Sequence, residues 1–304
     1  MQMYDLLIIG AGTAGLSAAI YAARGGLSTL VFEGAMYGGQ IIVSPTVENY
    51  PGVGCVSGAD FANSLYVQAE QLGVQFAFET VVSVEDTDGK KIVKTDSAVY
   101  EGKAVILATG AKNRPLGIAG EERFTGRGIS YCATCDGSFF QGKTVAVVGG
   151  GNTALEDAEV LAKLCNKVYL IHRRNQFRGE ASQVERLQKL DNVEFVLEST
   201  VVELQGETSL TGIVVENVSN GTRQSLQVDG LFVAIGQVPQ NAAFSELVET
   251  DSHGYIVAGE DCKTNRAGVY AAGDGRTKTV RQLVTAAADG AVAALAAAEY
   301  IRAL

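Results

Sequence analysis

A chain of 304 residues, 47% hydrophobic and carrying 36 glycines, is long enough for two domains and can bury a substantial core. Its 24 Lys and Arg against 34 Asp and Glu leave a net charge of -10, which argues against nucleic acid and anionic membrane surfaces as main partners. An apolar run begins within the first residues, leaving no room for a signal peptide, and no charge-free apolar stretch of about 18 residues appears, so the expectation is a cytoplasmic protein without a membrane span.

Leu6-Leu-Ile-Ile9 reads as a buried strand that runs into Gly10-Ala-Gly12-Thr-Ala-Gly15 and then a helix over Leu16 to Arg24. A lone G-x-G-x-x-G also fits a tight turn, but a strand before it and a helix after it are the context of a dinucleotide site. There glycine lets the backbone approach a pyrophosphate, which the helix N-terminus attracts. The next strand, Thr29 to Phe32, ends at Glu33, a carboxylate suited to the ribose diol of FAD or NAD and repelling a 2'-phosphate. The loop Gly34 to Tyr37 carries no readable feature. Lys103 to Gly110 is a further strand, closing on Thr109-Gly110.

Cys132-Ala-Thr-Cys135 has three readings: half a zinc site, a redox pair, or chance. Zinc needs four ligands, and the chain has no second such pair and only two histidines, His172 and His253; no metal site is expected. Asp136, directly after the pair, is a candidate to deliver and remove the proton of thiol and disulfide exchange, or a turn residue before Gly137. Cys55, Cys165 and Cys262 stand apart and are expected to be ordinary buried thiols.

Val145 to Val148 is again a strand, and Gly149-Gly-Gly151-Asn152-Thr153-Ala154 a second glycine-rich loop opening a helix. The strand Val168 to Ile171 then leads not to an acid but to His172, Arg173, Arg174 and Arg178. Guanidinium groups bind phosphate bidentately, so this site suits the 2'-phosphate of NADPH; a solvated basic patch is the plainer reading. The first site then most simply holds the hydride acceptor, a flavin. Gly268 to Asp274 is a strand ending in Gly273-Asp274, a carboxylate placed for the ribityl chain. In the final helix, Val284 to Ala303, Asp289 and Glu299 argue against a membrane anchor.

Taken together, several segments resemble the small, bacterial-type thioredoxin reductases, in family order along nearly the whole chain. They are Gly10 to Gly15, Gly38-Gly39-Gln40, Glu48 to Gly52, Ala108 to Gly110, Cys132 to Gly137, Gly149 to Ala154, His172 to Arg174 with Phe177-Arg178, Val233 to Gly236, and Ala272 to Asp274 followed by Arg281-Gln282. The resemblance implies an α/β fold of two Rossmann-like, three-layer domains. An NADPH domain, residues 114–244, is inserted in a discontinuous FAD domain, residues 1–113 and 245–304. It implies FAD contacts at Glu33 to Gln40, Asn49 and Asp274 to Leu283, with Thr109, Gly110 and Gly236 in the cofactor-binding set, and NADPH contacts at the second loop and the arginines.

It further implies a homodimer, thioredoxin as the protein partner, and Cys135 as the thiol nearest the flavin. Which thiol first attacks thioredoxin stays open, and Phe139 and Phe140 with Arg127 read equally as a docking surface or as core. Electrons would pass from NADPH to FAD, to the Cys132/Cys135 disulfide, to thioredoxin. Dithiol and second loop share one inserted domain yet must both meet one flavin, which predicts rotation about Asn113 to Leu116 and Ala243 to Ser245. The rivals are a reductase serving a glutaredoxin-like or peroxidase-linked partner, a flavin dithiol oxidase, which has no need of the arginines, and a redox sensor without turnover.

Overall fold

The computed structural model describes residues 3–44, 46–87 and 89–304. In chain order they form β1 (Met3–Ile9), α1 (Thr13–Arg24), β2 (Thr29–Phe32), α2 (Gly58–Gln71), β3 (Gln75–Ala77), β4 (Val81–Thr87), β5 (Lys90–Thr95), β6 (Val99–Leu107) and β7 (Ala111–Asn113). There follow α3 (Glu121–Phe124), β8 (Ile129–Ser130), α4 (Ala133–Asp136), β9 (Thr144–Val148), α5 (Asn152–Leu164), β10 (Lys167–Ile171), α6 (Ala181–Gln188) and β11 (Val193–Val196). The chain ends with β12 (Ser199–Gln205), β13 (Gly212–Asn217), β14 (Arg223–Gln227), β15 (Gly230–Val233), β16 (Gln237–Pro239), β17 (Val269–Ala271) and α7 (Leu283–Arg302).

The chain divides into two compact units, the described residues up to Lys112 with Val238–Leu304, and Asn113–Gln237 inserted between them. The second boundary thus falls at 237/238 rather than at the expected 244/245. The reason lies in contacts with distant segments: Asn241, buried, donates to the carbonyls of Gly254 and Gly275 at 2.9 and 2.7 Å, and Phe244 lies in the core of the first unit. The two connections, β7 and β16, pair with each other as a two-stranded sheet.

The first unit is built on a sheet of order β3-β2-β1-β6-β5-β4, with β17 also on β6. β1, flanked in parallel by β2 and β6, is apolar on both sides, as a strand covered on two faces must be. Leu6 and Ile8 meet α1 and α7, while Leu7 and Ile9 belong to a second cluster with Val84 of β4, Val93 of β5 and apolar residues of 244–258. β6 serves two partners in turn: Val99 to Gly102 pair with β5, and Val105 to Leu107 pair with β17. The inserted unit repeats the plan with a parallel sheet of order β11-β10-β9-β15-β8. α5 covers one face, and the antiparallel sheet β12-β13-β14 lies over the other. These are two Rossmann-like nucleotide-binding units, the second inserted in the first.

By length and composition alone α7, with 20 residues and a mean hydropathy of 1.3 over its most apolar window, passes for a membrane span; Ala293, Ala294, Ala297 and Ile301 on its buried face pack in the core with α1. Among these alanines sits Asp289, also buried. Its Oδ2 accepts hydrogen bonds from the Gly273 amide, Arg276 Nε and Lys278 Nζ at 2.8 to 2.9 Å, and its Oδ1 accepts Arg276 Nη2 at 2.7 Å. Burial pushes this carboxyl up, but the hydrogen bonds and charges of Arg276 and Lys278 outweigh burial and hold it below the ordinary carboxylate range. Removing one partner of a buried pair strands the other charges. Asp289→Asn is therefore expected to cost about 3 kcal/mol or more at neutral pH, read as a lowered Tm and denaturant midpoint. Because the folded value lies below the unfolded one, this contribution is present above about pH 3.9 and lost as pH falls through the folded value. A variant as stable as the parent would remove the cluster from the account of this unit.

Candidate active site

The first glycine-rich loop joins β1 to α1. Gly10 has φ +104°, a left-handed value that only glycine adopts readily. A side chain at Gly15 would run into the Gly10 carbonyl, whereas one at Gly12 would meet nothing within 4 Å. Helix and strand thus touch at Gly15, and open space remains in front of the helix N-terminus, the shape a pyrophosphate requires. Glu33 follows β2; its Oε2 accepts the Ala11 amide at 3.0 Å and its Oε1 the Ala35 amide at 3.1 Å, so the carboxylate stands at the mouth of the loop.

Gly38 donates its amide to the Ala11 carbonyl at 2.7 Å, which lays Gly38 to Gln40 along the loop. Gln40 Nε2 bonds the Ala111 carbonyl. Asn49 Nδ2 donates to Gln282 Oε1 at 3.2 Å, and the Thr109 hydroxyl to Asn241 Oδ1 at 2.6 Å. Gly110, between Thr109 and β7, has φ +67° and open space where a side chain would stand. Asp274 follows Gly273 in the turn that Asp289 ties down. One oxygen of Asp274 and the Arg281 Nε are buried without a hydrogen-bond partner among the described residues. Burial holds the Asp274 carboxyl above its ordinary range, against the nearby charges of Lys278 and Arg281. A buried orphan costs stability unless a ligand satisfies it; the hydroxyls of a ribityl chain fit this need. Leu283 opens α7 directly behind.

In the inserted unit, Gly149 closes β9 so tightly that a Cβ would meet Ala154 Cβ at 2.6 Å, and the space at Gly151 is open. Asn152 and Thr153 are exposed on the first turn of α5, with Asn152 Oδ1 accepting the Glu180 amide at 2.9 Å. His172 is buried, bonded through Nε2 to the Gln176 carbonyl at 3.1 Å and stacked on Phe177 at 5.1 Å. Burial pushes its imidazole below the ordinary value, a shift opposed by that hydrogen bond and reinforced by Arg178, Arg174 and Arg173. His172 therefore shapes the loop as a neutral ring, and the charge comes from Arg173, Arg174 and Arg178, all exposed. They line a cavity of about 410 Å³ with Asn175, Gln176, Phe177 and Glu198. Gly236, also expected in the cofactor-binding set, sits before β16 at φ +102°.

Cys132 and Cys135 form a disulfide with Cα atoms 5.3 Å apart, across the single turn of α4. Ser130, unremarked in the sequence, organises the turn. Its hydroxyl accepts the Cys132 amide at 3.1 Å and donates to Asp136 Oδ2 at 2.6 Å. Asp136 Oδ1 is buried with no partner among the described residues. Burial raises the Asp136 carboxyl, with the Ser130 hydrogen bond opposing, which suits a group that must hold a proton beside the thiols. Tyr131 donates to Glu121 Oε1 at 2.8 Å, and Glu121 gathers the amides of Leu116 and Gly117. Phe140 is half-buried against the core, edge-on to Phe232 at 5.2 Å, Phe139 is half-buried as well, and Arg127 is exposed. Cys165 and Cys262 are buried, but Cys55 is exposed, a correction to its expected burial; it lies in an open loop before α2.

The pyridine nucleotide-disulphide oxidoreductase family matches residues 4–290. The chain belongs to that family. It is 41% identical over 304 residues to a thioredoxin reductase of Listeria monocytogenes, covering all of this chain and 95% of that one. It is 43% identical over 299 residues to a thioredoxin reductase of Treponema pallidum, covering 98% and 97%. Among solved structures, the thioredoxin reductase of Streptococcus pyogenes superposes with a TM-score of 0.94 at 40% identity, covering 99% of each chain. The chain is an oxidoreductase, and its cofactors are FAD and NADPH.

The three exposed guanidinium groups make a testable demand. Each charge-assisted contact is worth about 1.5 to 3 kcal/mol, so removing Arg173 and Arg174 together should raise KM for NADPH at least about tenfold more than KM for NADH. Equal losses for both nucleotides in steady-state kinetics would detach these residues from the 2'-phosphate.

Proposed function

We propose that this chain is an NADPH-dependent thioredoxin-disulfide reductase in which Cys132 and Cys135 relay the electrons. The observation that supports it most is the disulfide itself, set in a turn that Ser130 holds against a buried acid. The unit that carries it also carries the basic pocket. When bound, NADPH supplies a hydride and FAD hands its electron pair to a disulfide. Breaking the Cys132–Cys135 bond leaves one sulfur as a thiolate and gives the other a proton. One thiolate then attacks the partner's disulfide, and the partner's departing sulfur needs a proton. Asp136, raised by burial and in reach of the turn through Ser130, is the group to hold and return that proton.

Thioredoxin is the partner by analogy with the relatives of that name. A homodimer acting in the cytoplasm is the setting; three cysteines left as free thiols fit a reducing compartment. Replacing either Cys132 or Cys135 by Ser should leave bleaching of the flavin by NADPH intact and abolish thioredoxin reduction. Thioredoxin turnover at the parent rate in either variant would sink the relay.

The chain order supports a rotation between half-reactions, because dithiol and NADPH loop belong to one unit while the flavin loop belongs to the other. The paired connections β7 and β16 are the natural pivot, since a hinge absorbs its change in a few residues. A reversible cross-link between the two units that holds the dithiol at the flavin should block flavin reduction by NADPH, and cleaving it should restore the reaction. Reduction at the normal rate while the link is closed would show that no rotation is needed.

A further inference from the structure

Glu198 stands in the short connection between β11 and β12 with φ +51°, a left-handed value that works against any residue carrying a Cβ. Backbone hydrogen bonds on every side hold it there. His172 donates its amide to the Val196 carbonyl and Ser199 its amide to the His172 carbonyl, both at 3.0 Å. Glu198 donates to the Arg174 carbonyl at 3.3 Å and accepts the Val218 amide at 2.7 Å. The connection is thereby pinned across the loop that carries the arginines. Glycine or asparagine is at ease in such a turn, so a glutamate held there against its preference calls for a functional reason.

The reason lies in what the residue faces. Glu198 lines the same cavity as Arg173, Arg174 and Arg178. Among the described residues no ion pair joins it to any of the three; its Oε1 accepts the Ser219 hydroxyl at 3.4 Å instead. The cavity thus presents three guanidinium groups together with a carboxylate that they do not pair. A 2'-phosphate entering it is drawn by the guanidinium groups and repelled by Glu198, whereas a ribose hydroxyl carries no charge for Glu198 to repel.

We propose that Glu198 is a specificity-determining residue of the nucleotide site, an anion that weakens the hold of the arginines on the 2'-phosphate and so narrows the preference for NADPH over NADH. The inference rests on the reading of the arginines as the 2'-phosphate site. The oxidised nucleotide carries the same phosphate, so the same repulsion loosens the spent cofactor.

The test is calorimetric titration of full-length holoenzyme, its first loop filled by FAD, with adenosine 2',5'-bisphosphate and with adenosine 5'-monophosphate, which differ only in the 2'-phosphate. Glu198→Gln removes the charge and keeps an oxygen for Ser219. It should bind the monophosphate as the parent does and the bisphosphate about fivefold more tightly, the effect of one like-charge pair near contact in water. Salt separates a field from a change of shape: at about 1 M ionic strength, where screening acts within about 3 Å, the gap between variant and parent should close. A ratio of the two affinities that is unchanged or lower in Glu198→Gln, or a gain that persists at high salt, would overturn the proposal. Should Glu198→Gln fail to fold, Glu198→Asn, suited to left-handed backbone, carries the same test with the same outcomes. A parent that binds both ligands alike would instead detach the arginines from the 2'-phosphate, and the proposal with them, so the two failures are told apart.

Discussion

The constraint on which the rest depends is a close approach of helix to strand, made twice. At Gly15 the helix α1 comes so near β1 that only a hydrogen atom fits against the Gly10 carbonyl; at Gly149 the strand β9 meets Ala154 of α5 in the same way. Each contact fixes the line along which a helix leaves its sheet, and thereby the point at which its uncovered amides converge. Everything polar around the two loops is arranged relative to those points: Glu33 and Asp274 on the first, the three arginines on the second. Any side chain at Gly15 or Gly149 would tilt its helix and move the binding point with it.

The buried aspartates show how one residue type serves opposite ends. Asp289 faces two cations and is driven down, so it remains an anion that knits α7 to the turn after β17. Asp136 and Asp157 face no cation at hydrogen-bond range and are driven up by burial, which favours their protonated forms. Asp274 is driven up as well, with Lys278 and Arg281 near but one oxygen without a partner among the described residues. The first is architecture; the others are where chemistry or a ligand must complete the structure.

The strands and helices flanking both loops were legible from the chain because local pattern and tertiary role agree there. β1, β2, β9 and β10 each carry a short apolar run, and glycines follow β1 and β9 and flank α1. Ser130 was not legible, because its importance lies in hydrogen bonds to the Cys132 amide and to Asp136 that form only when the turn folds, which no spacing announces. Asp289 was visible as an acid in an alanine-rich helix, but the sequence offered only a reason against a membrane, not its partners. The second domain boundary slipped by seven residues because Asn241 and Phe244 belong to the first unit through contacts made with distant segments. Tyr37, in the loop without a readable feature, turns out to stack on Tyr66 at 4.1 Å.

The forked strand β6 also sets a timetable for synthesis. Its first half is paired by β5, made just before it, but its second half waits for β17 and its helix layer waits for α7, both made after the inserted unit. The inserted unit is one continuous stretch and can complete its sheet while that tail is still being made. During this interval the first unit exposes the open flank of Val105 to Leu107, an unpaired edge of the kind that recruits other chains. Joining of β17 closes that flank, so the first unit stays open to other chains until the segment after the inserted unit has been made.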